Sequence, residues 1–403
     1  MSKWLTIVGM GEDGYESLTG SAKMSIAGAR HVIGSSRLLA LLPPLNAKTH
    51  EWPQPFSAVV HQIMPLRGTP TVVLATGDPM NYGAARKLLE ILPFREMSVI
   101  PHVSAFSHAA ARLGWSLPDC DCMTIHGRPA AQLEVYIQPE ARVLVLTQDG
   151  SSIAECVKRL MLRGFGNSIL TVLENMGGSA EAITRFVAHE SPSRAWSDLN
   201  VLAIQCVASR DASVLSRVGG LPDDAFEHDG KITKREVRAA TLAALQPSPD
   251  QLLWDVGAGS GSVSIEWMRS TRGCQAIAIE TNPERCAAIA RNAESLGTPR
   301  LKIVNADAPQ AFASLAPPDA IFIGGAVDTP GIFETAFATL KAGGVCVANT
   351  VTLEGDRQLI SLQEQYGGDL VRMDVSTLTM VGKLRALRPR MSVLQWRLRK
   401  GHA

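Results

Sequence analysis

Nowhere in the 403 residues do about 18 apolar residues run together, the length a membrane-crossing helix needs, so no membrane segment is expected. The apolar start, Trp4 to Val8, is broken at once by Gly9, Gly11, Glu12 and Asp13, too early for a secretory signal, and a cytoplasmic location is expected. Charge of one sign is also lacking. Lys and Arg number 39 against 38 Asp and Glu, a net charge of +1, which excludes a broad basic footprint for nucleic acid. The seven cysteines are odd in number and scattered, which is no disulfide framework and suits a reducing compartment. Cys120-x-Cys122 with His126 lacks a fourth ligand, so no metal is expected. With 46% hydrophobic and 19% charged residues the chain is globular with ample core, and its length suits two or three domains.

The densest signal lies in the second half. Leu252 to Met268 reads LLWDVGAGSGSVSIEWM: an apolar strand ending at Asp255, a turn through Gly257, Ala258, Gly259, Ser260 and Gly261, then a helical segment. Glycines stand where a backbone turns sharply and a ligand lies against it. The spacing is not that of a dinucleotide loop, since counting from Gly257 the sixth position is Ser262. An acid ahead of the first glycine repels a pyrophosphate and suits a ligand carrying an ammonium group. Cys274 to Thr281 is a second strand ending in Glu280, nineteen residues past Gly261, where a carboxylate can accept both hydroxyls of a ribose. Leu301 to Phe312 opens as a third strand with a polar tip at Asn305, Ala306 and Asp307.

These three signals, in this order, resemble the class I S-adenosylmethionine-dependent methyltransferases. The resemblance implies a Rossmann-like α/β fold. It implies that Asp255 and the Gly257–Gly261 loop hold the methionine part, Glu280 the ribose, and the Ala306-Asp307-Ala308 tip the adenine.

The first half alternates strands and helices again. Strands are expected at 4–8, 31–35, from Thr71, and at 142–147, 169–175 and 200–206, with Ser104 capping a helix. Gly9-x-Gly11-x-x-Gly14 matches a dinucleotide fingerprint literally. Glu12 and Asp13 put two negative charges where the pyrophosphate would sit, and no acid ends the 31–35 strand. The set GMGEDG, TGDPMNYG, PHVSAFSHAAA and VLENMGG resembles instead the tetrapyrrole methylases, with Gly-Asp-Pro-x-x-Tyr-Gly its most specific block. The first loop departs from that family, with Glu12-Asp13-Gly14 where Pro-Gly-Asp is usual. This resemblance implies a two-lobed α/β fold and a cofactor beside Gly77, Asp78, Ser104, Ala105 and the stretch Glu174 to Gly177, including Asn175 and Met176.

Residues 209–230, rich in Gly, Pro and Asp, are expected to link a domain of residues 1–208 to one of 231–403. A helix is expected from Thr233, its hydroxyl serving as cap and Thr233 placed beside the cofactor. Ile232 to Arg238, and the strand Ile321 to Ala326, resemble the cobalamin-pathway methyltransferases that methylate carbon 15 and decarboxylate. The two halves together resemble the fused methyltransferases of the aerobic cobalamin pathway. That resemblance implies methylation of a precorrin at carbons 5 and 15, loss of the ring C acetate carboxyl, one S-adenosyl-L-methionine site in each domain, and a homo-oligomer. Substrate carboxylates call for cations, and Lys231, Lys234, Arg235 and Arg238 in the second domain, with Arg86 and Arg128 in the first, are the candidates. The end of the chain, QWRLRKGHA, reads as a solvated tail. Two other readings stay open on the sequence alone: an RNA methyltransferase with an accessory domain, and a non-catalytic protein that keeps a cofactor fold. Against the first, residues 318–325 lack the Asn/Asp-Pro-Pro-aromatic cradle used on flipped bases.

Overall fold

The computed structural model describes residues 3–53 and 58–401 and falls into two units: residues 1–130 with 136–213, and residues 131–135 with 214–403. In the first unit, apolar runs buried on both faces set a parallel sheet. Its strands are β1 (Leu5–Met10), β2 (His31–Gly34), β3 (Lys48–Glu51), β4 (Thr71–Thr76) and β5 (Met97–Ile100), in the order β3-β2-β4-β1-β5. Leu5, Ile7, Val8, Val73 and Leu74 are fully buried, so the centre of this sheet is core on both sides. A second sheet follows: β6 (Asp121–Thr124), β7 (Arg142–Leu146), β8 (Ile169–Glu174), β9 (Ala182–Val187) and β10 (Asn200–Gln205), ordered β6-β7-β10-β8-β9. Here only β6 and β7 run parallel, and the other pairs are antiparallel.

The second unit is built on seven strands: β11 (Leu252–Val256), β12 (Gln275–Glu280), β13 (Lys302–Asn305), β14 (Ala320–Ile323), β15 (Val345–Thr350), β16 (Asp369–Met373) and, past a hairpin, β19 (Val393–Arg399). The hairpin is β17 (Ser376–Val381) with β18 (Leu384–Pro389), a separate two-stranded piece. The sheet order is β13-β12-β11-β14-β15-β19-β16, parallel except at β19. From β11 the chain steps outward through β12 to β13. From β14 it steps the other way, to β15. The order therefore reverses between β11 and β14, the place where open α/β sheets bind ligands. Helices cover both faces, and Trp254, Trp267 and Trp396 are wholly buried among them.

Three expectations are corrected here. Residues 209–230, read as a linker, send Leu215, Leu221 and Phe226 into the core of the second unit. Residues 395–399, read as part of a solvated tail, belong to strand β19 inside the sheet. Trp396 is fully buried there, and Gln395 donates to Thr241 Oγ1 at 3.2 Å and to Asn349 Oδ1 at 2.9 Å. His402 and Ala403 lie outside the described residues. The helix expected from Thr233 spans Arg235–Leu245, and its cap is Lys234 with no side-chain hydrogen bond. Thr233 contributes its carbonyl instead, as an acceptor for Arg238. Among the described residues no helix is long and apolar enough to cross a membrane.

Candidate cofactor sites in the two units

In the second unit the glycine loop joins the end of β11 to the helix Ser262–Ser270, at the point where the strand order reverses. Gly257, Gly259 and Gly261 all have positive φ, at +73°, +59° and +73°, a region a side chain makes strained. The amides of Gly257 and Ala258 both donate to Ile279 O, at 3.0 and 3.1 Å, which folds the loop back over the end of β12. Gly261 starts the helix Ser262–Ser270, and a Cβ there would meet Ile289 Cγ2 at 2.8 Å.

Glu280, at the end of β12, is buried to 5% exposure and turned into this loop. Its Oε2 accepts from Gly259 N at 2.9 Å and its Oε1 from Asn282 N at 3.0 Å. A carboxylate offers about four lone-pair sites. Two are taken, and two remain, the number that a pair of vicinal hydroxyls requires. Asn305, the register partner of Glu280 on β13, donates to the carbonyls of Glu280 and Thr281 at 2.9 and 2.8 Å, so the two strand tips are tied together. Two residues on, Asp307 is exposed at the same edge between Ala306 and Ala308.

Asp255 is 1% exposed. Its Oδ2 accepts from Ser264 N at 3.0 Å and from Ser264 Oγ at 2.6 Å, while Oδ1 is buried without a hydrogen-bond partner. Burial pushes the carboxyl up to about 6, against the two bonds from Ser264, and the negative charge of Glu280 adds to the rise. Ser260 Oγ is likewise buried without a partner. Two buried polar atoms left unpaired within one loop are what a polar ligand would satisfy.

The cations expected around this site separate. Lys231 and Arg235 are exposed. Lys234 is 3.7 Å from Asp223 Oδ2, an ion pair that leaves its ammonium part-exposed. Arg238 is not available to a substrate: it is wholly buried, bonded through Nε to Glu266 Oε1 at 2.6 Å, to Asp223 Oδ1 at 3.1 Å, and to the carbonyls of Leu221 and Thr233. Its guanidinium also lies 4.8 Å from the Phe226 ring centre.

In the first unit the loops after β1, β4 and β5 meet. A Cβ on Gly9 would stand 2.1 Å from Gly77 O and 2.7 Å from His102 N, so glycine at position 9 is what lets the three loops close together. Gly77, at φ +59°, donates its amide to Met10 O at 2.9 Å. Asp78 Oδ1 accepts from Met80 N at 2.9 Å, and a Cβ on Gly83 would strike Pro79 O at 2.6 Å. That explains the spacing of the Gly-Asp-Pro-x-x-Tyr-Gly block: it is one closed turn whose Tyr82 reaches Cys122 O through its hydroxyl at 3.0 Å. Ser104 caps Ala105–Leu113 by accepting from Ser107 N at 3.1 Å.

Asn175 holds positive φ, +49°, with Oδ1 accepting from Ser197 Oγ at 3.0 Å; Met176 follows it, half-buried. Glu174 accepts from Ser197 N at 2.7 Å and pairs with Arg194, so its carboxylate serves the loop around residue 196. Gly178 packs on Glu12, a Cβ there lying 2.9 Å from Glu12 Cβ, which brings the loop after β8 to the loop after β1. Arg128 lies 5.4 Å from the Tyr82 ring centre, beside the closed turn. Arg86 is exposed on Ala85–Leu89 with Glu90 at 4.0 Å, and the structure does not bring it to these loops. Sequence reasoning missed His102, which nests against Gly9, and the pair Arg112–Glu181, whose carboxylate also takes Gly177 N at 2.7 Å. Only the Gly9 neighbourhood carried a signal for them. Among the described residues no group of three or more His, Cys, Asp and Glu is arranged to hold a metal.

Comparison with known proteins places these two arrangements. Residues 4–191 match the family model described as Tetrapyrrole (Corrin/Porphyrin) Methylases, and residues 224–400 that of the Precorrin methyltransferase domain. The chain is 44% identical to a Sinorhizobium sp precorrin-6Y C(5,15)-methyltransferase [decarboxylating], over all of this chain and 97% of that one. It is 36% identical to the protein of the same name from Mycobacterium tuberculosis (strain CDC 1551 / Oshkosh), over 98% of this chain and 100% of that one. Among solved structures, the C-terminal domain of precorrin-6Y C5,15-methyltransferase from Rhodobacter capsulatus is 41% identical, covering 46% of this chain and 100% of that chain with a TM-score of 0.44.

Proposed function

The chain belongs to the family of precorrin-6Y C(5,15)-methyltransferases (decarboxylating), and from that premise we propose that it methylates precorrin-6B at carbons 5 and 15 and removes the ring C acetate carboxyl, giving precorrin-8X. We assign carbon 5 to the first unit and carbon 15 with decarboxylation to the second, each with its own S-adenosyl-L-methionine. The observation that carries the cofactor reading is the closed loop at the sheet's switch point, with Glu280 keeping two lone-pair sites open and Asp255 Oδ1 and Ser260 Oγ buried unpaired. Those residues fit the group: Glu280 the ribose hydroxyls, Asp255 the ammonium, and the glycines a backbone that lets the ligand lie flat. In the first unit, Gly77, Asp78, Ser104 and Asn175 stand at the ends of converging loops and would hold the second copy.

When bound, the cofactor supplies an electrophilic methyl on a sulfonium. The chain's own work is to orient two ligands in line and to exclude water, because the bridging carbons of a reduced tetrapyrrole are themselves enamine-like nucleophiles. Loss of carbon dioxide needs an electron sink, which a protonated ring nitrogen of the substrate provides. Lys231, exposed and with its carbonyl against Gly259, and Arg235, exposed at the start of the helix that follows, would hold ring carboxylates of the second unit's substrate, and Arg128 would do so in the first.

The test uses the full chain with precorrin-6B and S-adenosyl-L-methionine, following product mass. The unaltered chain should add two methyl groups and lose one carbon dioxide. Asp78→Ala should stop after one methyl with the carbon dioxide lost, and Glu280→Gln should leave the carboxyl in place. Two methyls added by Asp78→Ala, or decarboxylation undiminished in Glu280→Gln, would overturn the division of labour.

A further inference from the structure

Residues 227–231 run across the glycine loop of the second unit as a strap, and one helix, Pro283–Ser295, holds both. Asn292, 2% exposed on that helix, receives Glu227 N at 2.8 Å and donates to Glu227 O at 2.9 Å and to Ser260 O at 3.0 Å, stitching strap to loop. At the strap's other end Asp229 Oδ1 accepts from Lys231 N at 3.0 Å, and the carbonyl of Lys231 sits where a Cβ on Gly259 would be 3.1 Å away. Arg285, on the first turn of the same helix, reaches both sides. Its Nε donates to Asp229 Oδ2 at 2.9 Å, and its Nη1 stands 3.7 Å from Glu280 Oε1.

We propose that Arg285 is a positioning residue for the cofactor: it holds the direction of the Glu280 carboxylate and locks the strap over the loop, a role that rests on the reading of this loop as an S-adenosyl-L-methionine site. The distances make the case. At 3.7 Å Nη1 attracts the carboxylate without occupying a lone pair, so Glu280 keeps both open sites for the ribose. Glu280 is 5% exposed and faces the acidic Asp255, so its charge lacks water and meets a second carboxylate. A guanidinium on its flank offsets both effects. Asp229 in turn holds the guanidinium in place, with Arg285 23% exposed and Asp229 49%. The sequence signal is only a Pro-Glu-Arg opening of a helix after Asn282, which has no ligand meaning by itself.

The experiment titrates S-adenosylhomocysteine calorimetrically into the full chain and into Glu280→Gln, Arg285→Gln, Arg285→Lys and the double variant Glu280→Gln with Arg285→Gln, each first shown to unfold cooperatively. Arg285→Gln should weaken one binding site by about twofold to 150-fold, the range of coupling for residues sharing one charge network. Arg285→Lys, which keeps the charge, should recover most of that loss. The double variant should bind more weakly than Glu280→Gln by less than the full Arg285→Gln loss, because Arg285 acts in part through Glu280 and in part through the strap. In turnover, Arg285→Gln should raise KM for S-adenosyl-L-methionine with kcat little changed. Unaltered binding by Arg285→Gln beside weakened binding by Glu280→Gln would overturn the role of Arg285 alone. Full additivity of the two losses would show that Arg285 acts on the fold and not through Glu280. Unaltered binding by Glu280→Gln would instead remove the cofactor reading on which the proposal stands.

Discussion

Asp255 should make the second unit more stable on mild acidification, against the usual behaviour of carboxylates. Burial raises its pKa from the ordinary 3.8 to about 6, because the ionised form has lost water and gained only the two bonds from Ser264. The folded state therefore binds a proton at a pH where the unfolded chain has released it. Stability from this group is fully present below about 3.8 and is lost as pH rises through about 6. Between about pH 7.5 and about pH 5 the carboxyl should contribute about 1.4 kcal/mol, one pH unit of linkage at 1.36 kcal/mol each. For a domain of this size that is about 3–6 °C in unfolding temperature. The perturbation is Asp255→Asn, which keeps an acceptor for Ser264 and cannot titrate. Calorimetry on both proteins at the two pH values, without ligand, gives the double difference in which all other titrating groups cancel. The unaltered protein should gain on Asp255→Asn by the stated amount as pH falls. A gap between the two that does not move with pH, or that moves the other way, would refute a buried, proton-retaining Asp255.

Arg238→Met should cost the second unit about 3–5 kcal/mol by leaving Glu266 buried without its cation, read as a fall in unfolding temperature. Arg235→Ala, on the exposed face of the same helix, should change stability by less than about 0.5 kcal/mol while raising KM for the tetrapyrrole. Gly261→Ala should cost about 2–4 kcal/mol, from a positive φ and a Cβ forced against Ile289, and should abolish one of two S-adenosylhomocysteine binding events in calorimetry.

Much of the site was legible in the sequence because its constraints are local. The glycines of residues 257–261 announce positive φ, Ser104 announces a cap, and Glu280 ends an apolar run. What the sequence concealed depends on partners far along the chain. Arg238 looks like a surface cation in a basic helix, and its burial follows from Glu266, 28 residues on, and from a carbonyl 17 residues back. The segment 209–230 has no period, yet Leu215, Leu221 and Phe226 each find an apolar slot, so composition alone misjudged it as a linker. Gln395 and Arg397 alternate with apolar residues in a basic run and read as solvated. Their polar groups are met within the fold, Gln395 by Thr241 and Asn349, and Arg397 by Ala244 O at 2.9 Å.

Two Arg–Glu pairs in the second unit show why a count of hydrogen bonds separates structure from ligand recognition where residue type does not. Arg238 and Glu266 are nearly filled: Glu266 takes Gly220 N, Leu221 N and Arg238 Nε, three of its about four lone-pair sites, while Arg238 donates through Nη1 and Nη2 to Asp223 and two carbonyls. That pair is buried out of a ligand's reach, and its removal is felt as stability. Glu280 and Arg285 stand farther apart, 3.7 Å, and only two donors lie on the carboxylate. That pair keeps spare capacity at the open edge of the sheet, next to a buried Asp255 Oδ1 that also lacks a partner. Two open sites on Glu280, together with Asp255 Oδ1 and Ser260 Oγ, stand around one glycine loop, and their removal should be felt as affinity.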